Sequence, residues 1–234
     1  MTGTILNTAV ILVGGLLGLL FGRLLSEKSR ETIIIGLGLF TIGISVSMFL
    51  KTHNSLVVLG GLLIGGLLGE YLQIETRLNQ LGIRLEKSVN GKSPLPSSGS
   101  SFVRGFMTSS VLFCIGPLAI LGAIQDGLIG DYQLLAIKSV MDGFAAFALS
   151  STLGVGVLFS AIIVFLYQGS FSLLAVQLQG VMSQVMIDEM TATGGLLLIG
   201  LAISSLLEIK PIRVGNFLPS LVISPLIVYL LSLI

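Results

Sequence analysis

Lys138 and Asp142 lie one helical turn apart inside an apolar run, residues 134–151. A spacing of four puts them on one face of any helix that forms there. Ionisable groups within a membrane segment are costly, and they either pair with one another or face a water-filled path. Two chemistries fit. As an internal ion pair, the two charges neutralise each other in lipid. As part of a path, Lys138 binds an anionic group, or Asp142 exchanges protons when Lys138 engages a solute. Just upstream, Gly116-Pro117 interrupts the run 102–124. Proline lacks a backbone donor and pushes the residue before it out of helical geometry, so a break or kink is expected. Gln125 and Asp126 end that span and open a polar, glycine-rich turn, 125–133, which also holds Asp131. Broken helices of this kind build midplane sites, with freed carbonyls for a cation or amides for an anion. The expected solute or ion path therefore comprises Gln125, Asp126, Lys138, Asp142, Gly116 and Pro117.

Three further residues are secondary candidates. Asn7 stands in the first apolar run and reads first as an interhelical hydrogen-bond donor. Glu70 reads as an interface charge at the end of the third run. Asp131 reads as a helix N-cap or a solvated turn residue. No enzyme is expected: HExxH, GxSxG and P-loop patterns are missing from the sequence. The single histidine, His53, has no assigned role. Asp131 and Asp142 suggest a carboxylate pair, but Lys138 beside Asp142 argues against shared-proton chemistry. No cluster has His/Cys metal-ligand spacing, so neither a metal nor another cofactor is expected. Cys114 is the one cysteine and excludes an internal disulfide.

These residues are set in a chain of 234 that is 53% hydrophobic and 10% charged. A soluble domain averages about 25% charged residues. The chain therefore belongs to the polytopic membrane class, with the lipid bilayer as its partner. A net charge of +1 implies no nucleic acid or other polyanion. The expected fold is all-α: a bundle of about eight spans with a broken fourth span. The first run, 4–22, is long enough to span and lacks the flanks of a cleaved signal peptide. The others are 32–50, 56–71, 102–124, 134–151, 154–167, 192–207 and 217–234. Residues 74–89 instead read as an amphipathic helix in the interface, with Ile74, Leu78, Leu81, Leu85 and Val89 at helical spacing. Residues 168–189 are semi-polar and read as interfacial or re-entrant. Pro211 is expected to stop the helix before it.

The polar Pro/Gly/Ser stretch 90–101 reads as a flexible linker. It divides a three-span half with its amphipathic helix, 1–89, from a half carrying the polar centre, 102–234. Gly14, Gly18 and Gly22 fall four apart, as do Gly61, Gly65 and Gly69. Such ladders let helix backbones approach closely, either within the chain or across a homodimer, and a homodimer is expected. GGLLG at 14–18, GGLLIGG at 60–66 and GGLLLIG at 194–200 read either as the trace of a duplicated, inverted unit or as compositional bias. Ten of the twelve Lys and Arg residues fall in or beside the turns after spans one, three and seven. Lys51 alone lies in an opposite turn, and Lys138 is within a span. By the positive-inside rule both termini are outside and residues 74–101 are cytoplasmic. A six-span variant, with spans five and six as a re-entrant pair, satisfies the same parity.

Longer stretches carry a resemblance. CIGPLAILGAIQDGLIGDYQLLAIKSVMDGF, LGVGVLFSAIIVFLYQG and RVGNFLP, with GTILNTAVILVGGLLGLLFG and GEYLQIE before them, resemble the "domain of unknown function 554" family. That resemblance covers nearly the whole chain and implies a polytopic protein of the bacterial inner membrane. It implies no substrate. The leading functional expectation is a small transporter or channel for a solute or ion, its path lined by spans four and five and closed by spans one and three. The alternative is a membrane interaction or scaffold protein in which Lys138–Asp142 is structural and the amphipathic helix is the working surface.

Overall fold

Large apolar side chains point outward along the first helix, α1 (Thr2–Gly22), while its small and polar ones point inward. Gly3, Thr4, Asn7, Ile11, Gly14, Gly15, Gly18 and Gly22 are buried, and Val13, Leu16, Leu20 and Phe21 are exposed. A helix in water does the reverse; in lipid the small face is the packing face. The computed structural model describes residues 1–22, 24–90, 100–179 and 182–233. Most of the linker expected at 90–101, together with Arg23 and Lys92, lies outside the described residues.

The other α-helices are α2 (Glu27–Phe49), α3 (Ser55–Tyr71), α4 (Ile74–Asn90), α5 (Ser101–Cys114), α6 (Pro117–Ile129), α7 (Gln133–Leu153), α8 (Gly156–Leu173), α9 (Ala175–Gln179), α10 (Gln184–Leu201) and α11 (Ser220–Leu231). A π-helical turn (Ala202–Leu206) extends α10, and a 3-10 turn (Val214–Phe217) precedes α11. No strand occurs among the described residues, so the fold is all-α. Among the described residues, six helices are long and apolar enough to cross a membrane, or up to eight if each of two bent pairs counts as one span. Both α7, with 21 residues, and α8, with 18, are in that set. At 1.5 Å per residue they measure about 31 and 27 Å, close to a bilayer's hydrocarbon thickness. Full crossings thus suit them better than the re-entrant pair of the six-span variant.

The expected break in the fourth span is present. Helices α5 and α6 meet at a bend of 61°. Gly116 sits at φ 142°, a conformation that L side chains rarely adopt. Pro117 then opens α6, where its missing N–H costs nothing.

The chain forms two compact units that do not follow the halves on either side of the linker. One comprises Met1–Leu37, Leu78–Cys114 and Leu118–Gln179; the other comprises Gly38–Arg77, Ile115–Pro117 and Gly180–Ile234. In the first, α1 lies along α7. A Cβ at Gly14 would fall on the Gly143 carbonyl and one at Gly18 on that of Phe147, while one at Gly22 would sit 2.7 Å from Ser151 Cα. Residue numbers rise together, so the two helices run parallel. The pair α5–α6 runs parallel to α8, because Gly156 abuts the Phe102 carbonyl at one end and Gly127 abuts that of Ser172 at the other. Helix α4 meets α5 through Gly82, which abuts Phe106 and Val103. Glu86, one turn on, is buried with it, while Leu81 of the apolar stripe stays exposed.

In the second unit the glycine ladder of α3 meets α11 and the 3-10 turn. Gly61 abuts Ser224, Gly65 abuts Ser220 and Gly69 abuts the Asn216 carbonyl. Here numbers rise against one another, so α3 and α11 are antiparallel. The C-terminal part of α2 is likewise antiparallel to α10, with Gly195 against Met48 and Gly38 against Leu207. Within each unit, these directions agree with an eight-crossing chain. The ladders of α1 and α3 are used with opposite partner directions, which favours compositional bias over a simple duplication. Both ladders are also covered inside their own units, so neither offers the dimer surface expected of it.

Candidate functional site

The site grows from the inward face of α7 in the first unit. Leu135, Lys138, Ser139, Asp142, Ala146 and Leu149 are buried, while Ile137, Val140, Met141 and Phe144 face outward. That stripe carries Lys138 and Asp142 to the interior at 6% and 7% exposure. Lys138 Nζ donates to Asp142 Oδ2. Asn7 Nδ2, from α1, donates to the same Oδ2 at 3.0 Å and to Gln168 Oε1, from α8, at 3.3 Å. Asn7 and Gln168 are fully buried. Asn7 is thus the interhelical donor expected of it, and it ties three helices together. Cys114, at the end of α5 in the same unit, is buried.

The hydrogen bonds fix the amide orientations. Asn7 must turn its NH2 to the carboxylate, which leaves Oδ1 without a partner. Gln168 must turn its oxygen to Asn7, which leaves Nε2 without one. Other buried polar atoms of this unit are also unpartnered: the hydroxyls of Thr4, Thr108, Ser110, Ser150 and Ser172, Asp126 Oδ1, Arg30 Nε and Asn79 Oδ1. Serine and threonine in a helix can satisfy themselves on a carbonyl three or four residues back. Ser109, Ser139, Ser151 and Ser160 do so here. The five unpartnered hydroxyls do not.

Asp126 occupies a different place from the one expected. No breaker interrupts α6 until Gly130, so Gln125 and Asp126 lie within the helix instead of on a turn. Asp126 Oδ2 accepts the Gly3 N–H at 2.9 Å and lies 3.1 Å from the Met1 amino group. A carboxylate is favoured at a helix N-terminus, where N–H groups lack partners. Its first role is therefore to hold the start of α1. Gln125 Nε2 donates to Asp131 Oδ2 at 3.2 Å, and Asp131 Oδ1 accepts the Gln133 N–H at the start of α7. Asp131 is a turn residue holding a helix start, as expected. Gly116 and Pro117 form the break in span four, and 115–117 group with the second unit.

Glu70 also belongs to the second unit. It accepts from Arg213 Nη1 at 2.9 Å and from Asn216 Nδ2. Beside it, Asn216 Oδ1 accepts the Glu75 N–H at 2.7 Å, and Glu75 Oε2 accepts the Gly215 N–H at 2.7 Å. Burial pushes the Glu75 carboxyl above the usual range, against the pull of the Gly215 N–H and the Arg213 charge. At the other end of α3, the fully buried Glu189 accepts from Thr52 Oγ1, His53 N and Asn54 N at 2.7 to 2.8 Å. His53 Nε2 lies 3.0 Å from Asp188 Oδ2. Helix α10 begins at Gln184, so Asp188 and Glu189 lie in its first two turns. Sequence reasoning missed Gln168, Glu189 and Asn216. Only the rarity of buried-type amides and acids in apolar surroundings pointed to them. Among the described residues, no group of three or more His, Cys, Asp or Glu side chains could hold a metal ion.

The family model "Protein of unknown function (DUF554)" matches residues 2–229. The chain is 30% identical over 235 residues to the "Uncharacterized membrane protein YdfK" of Bacillus subtilis (strain 168), covering 99% of this chain and 97% of that one. It is 28% identical over 222 residues to the "Uncharacterized protein YqgA" of Escherichia coli (strain K12), covering 95% and 94%. No solved structure matches. With its apolar helices and a match along nearly its whole length, this chain is a multi-pass membrane protein of the DUF554 family.

Proposed function

We propose that the protein is a small transporter or channel of the bacterial inner membrane, passing a small solute or ion through the interior of the first unit. The path runs beside α1, α5, α7 and α8, with Asn7, Lys138, Asp142 and Gln168 at its centre. One observation carries the reading. Among the described residues, all ten buried side-chain polar atoms without a partner lie in the first unit, whereas Glu189, Asn216, Thr193 and Ser224 of the second are paired. An unmade buried hydrogen bond costs about 1–3 kcal/mol, a cost that water or solute in a path relieves. The reading assigns no catalysis. Both termini outside and residues 74–101 cytoplasmic follow from the distribution of Lys and Arg. A homodimer remains part of the proposal, through a face other than the covered glycine ladders.

The alternative scaffold reading draws on a specific observation too. The pair is nearly sealed, and its two charges cancel within one helical turn. Flux separates the two. Purified protein is reconstituted in liposomes, and entry of small neutral solutes, rubidium and iodide is followed. Transport predicts flux above protein-free liposomes that Asp142→Asn reduces. Equal permeability with and without protein, across the panel, supports the scaffold.

A further inference from the structure

The polar centre carries one positive charge, Lys138, and one negative charge, Asp142, both buried. Around them the uncommitted groups divide evenly. On the donor side stand Gln168 Nε2, which has no partner, and the Lys138 ammonium, which has three N–H groups and gives one to Asp142. On the acceptor side stand Asn7 Oδ1, which has no partner, and Asp142 Oδ1, since both bonds to that carboxylate end on Oδ2. A bare cation at this centre would meet Asp142 and Asn7 but also the Lys138 charge and the Gln168 donor. An anion would meet Lys138 and Gln168 but also the Asp142 charge and the Asn7 acceptor. A solute bearing both charges opens the internal pair and replaces each half. Its ammonium takes Asp142 and Asn7, and its carboxylate takes Lys138 and Gln168. The net charge of the buried centre then stays at zero, so no uncompensated charge is created in the low-dielectric interior.

We infer that the solute recognised at this centre is a small zwitterion, with the ammonium and carboxylate of an amino-acid head group. The inference rests on the transport reading and specifies its substrate class. Glycine and L-alanine are the probes, since their side chains make the least steric demand, with rubidium and iodide as cation and anion. In proteoliposomes, radiolabelled glycine or alanine enters saturably, while rubidium and iodide enter no faster than in protein-free liposomes. Gln168→Glu replaces the unpartnered donor by a like charge and slows amino-acid entry at low concentration by about tenfold or more. Unaltered wild-type protein gives a second readout: millimolar alanine, but not equimolar sodium chloride, slows thiol modification of the buried Cys114 at the end of α5. Rubidium or iodide flux without amino-acid flux overturns the zwitterion and leaves transport standing. Flux of none of the probes, with Cys114 unreactive in the folded protein, overturns transport itself and the inference with it.

Discussion

Replacing Lys138 by methionine keeps most of the length of the side chain and removes its charge. Asp142 is then left in the interior with one donor, Asn7 Nδ2 at 3.0 Å. Breaking a buried pair by removing one partner costs about 3–5 kcal/mol. Asp142→Leu should cost at least as much, because it strands the Lys138 ammonium and takes away one of the two acceptors of Asn7. The double change Lys138→Met/Asp142→Leu leaves no charge, and its remaining cost is the weakened Asn7 bonding, about 1–2 kcal/mol. The double variant should therefore regain about 2–3 kcal/mol over either single. In a chain of this length the single losses lower the melting temperature by on the order of 10 °C. The assay is thermal unfolding of all four proteins in one detergent, treated as a double-mutant cycle. Singles as stable as wild type would refute burial of the pair. A double variant no more stable than the worse single would refute the view that each charge is the other's partner.

Three other outcomes follow. Gly18→Leu drives a side chain into the Phe147 carbonyl and should prevent α1 from packing on α7, lowering folded yield sharply; Gly36→Ala, which meets nothing within 4 Å, should be neutral or slightly stabilising, and a reversed order would contradict the packing. Burial raises the Glu75 carboxyl, so its contribution to stability is full below the ordinary carboxyl range and is lost as pH rises through the raised value. Melting of wild type should accordingly fall relative to Glu75→Gln between about pH 4 and 7, and a difference constant with pH would remove Glu75 as its source. For orientation, Lys51→Cys should label from outside intact cells and Ser88→Cys only after lysis, both side chains being exposed; the opposite pattern inverts the topology.

Parts of this arrangement were legible in the sequence because they are local. The spacing of Lys138 and Asp142 gives their pairing directly. Gly116-Pro117 gives the break in span four, and the period of Ile74, Leu78, Leu81 and Leu85 gives α4. What lay beyond reach depends on partners far along the chain. In the sequence Gln125 and Asp126 read as the opening of a polar turn. Gly127 instead keeps the helix slim where it meets the Ser172 carbonyl, and Asp126 faces Gly3, 123 residues away. Glu189 made its stretch look interfacial, since hydropathy along a chain cannot register three donors contributed from 52–54. The glycine ladders announced close packing but neither the partner nor its direction. Gln168 reads in the sequence only as the edge of a semi-polar stretch, because an amide gains its meaning from Asn7, on another helix.

Cys114 offers the most direct test of a water-accessible path. It is the single cysteine of the chain, it is buried, and it closes α5 in the unit that holds Lys138 and Asp142. Methanethiosulfonate reagents react with the thiolate in water and hardly at all with a thiol sealed in apolar surroundings. Unmodified protein in proteoliposomes is exposed to a small charged reagent, and the bound label is counted against the same protein denatured in detergent. The transport account predicts that folded protein is labelled at Cys114, at a rate that falls as the reagent grows larger. Full labelling after denaturation with none in the folded protein, at any reagent size, would contradict it.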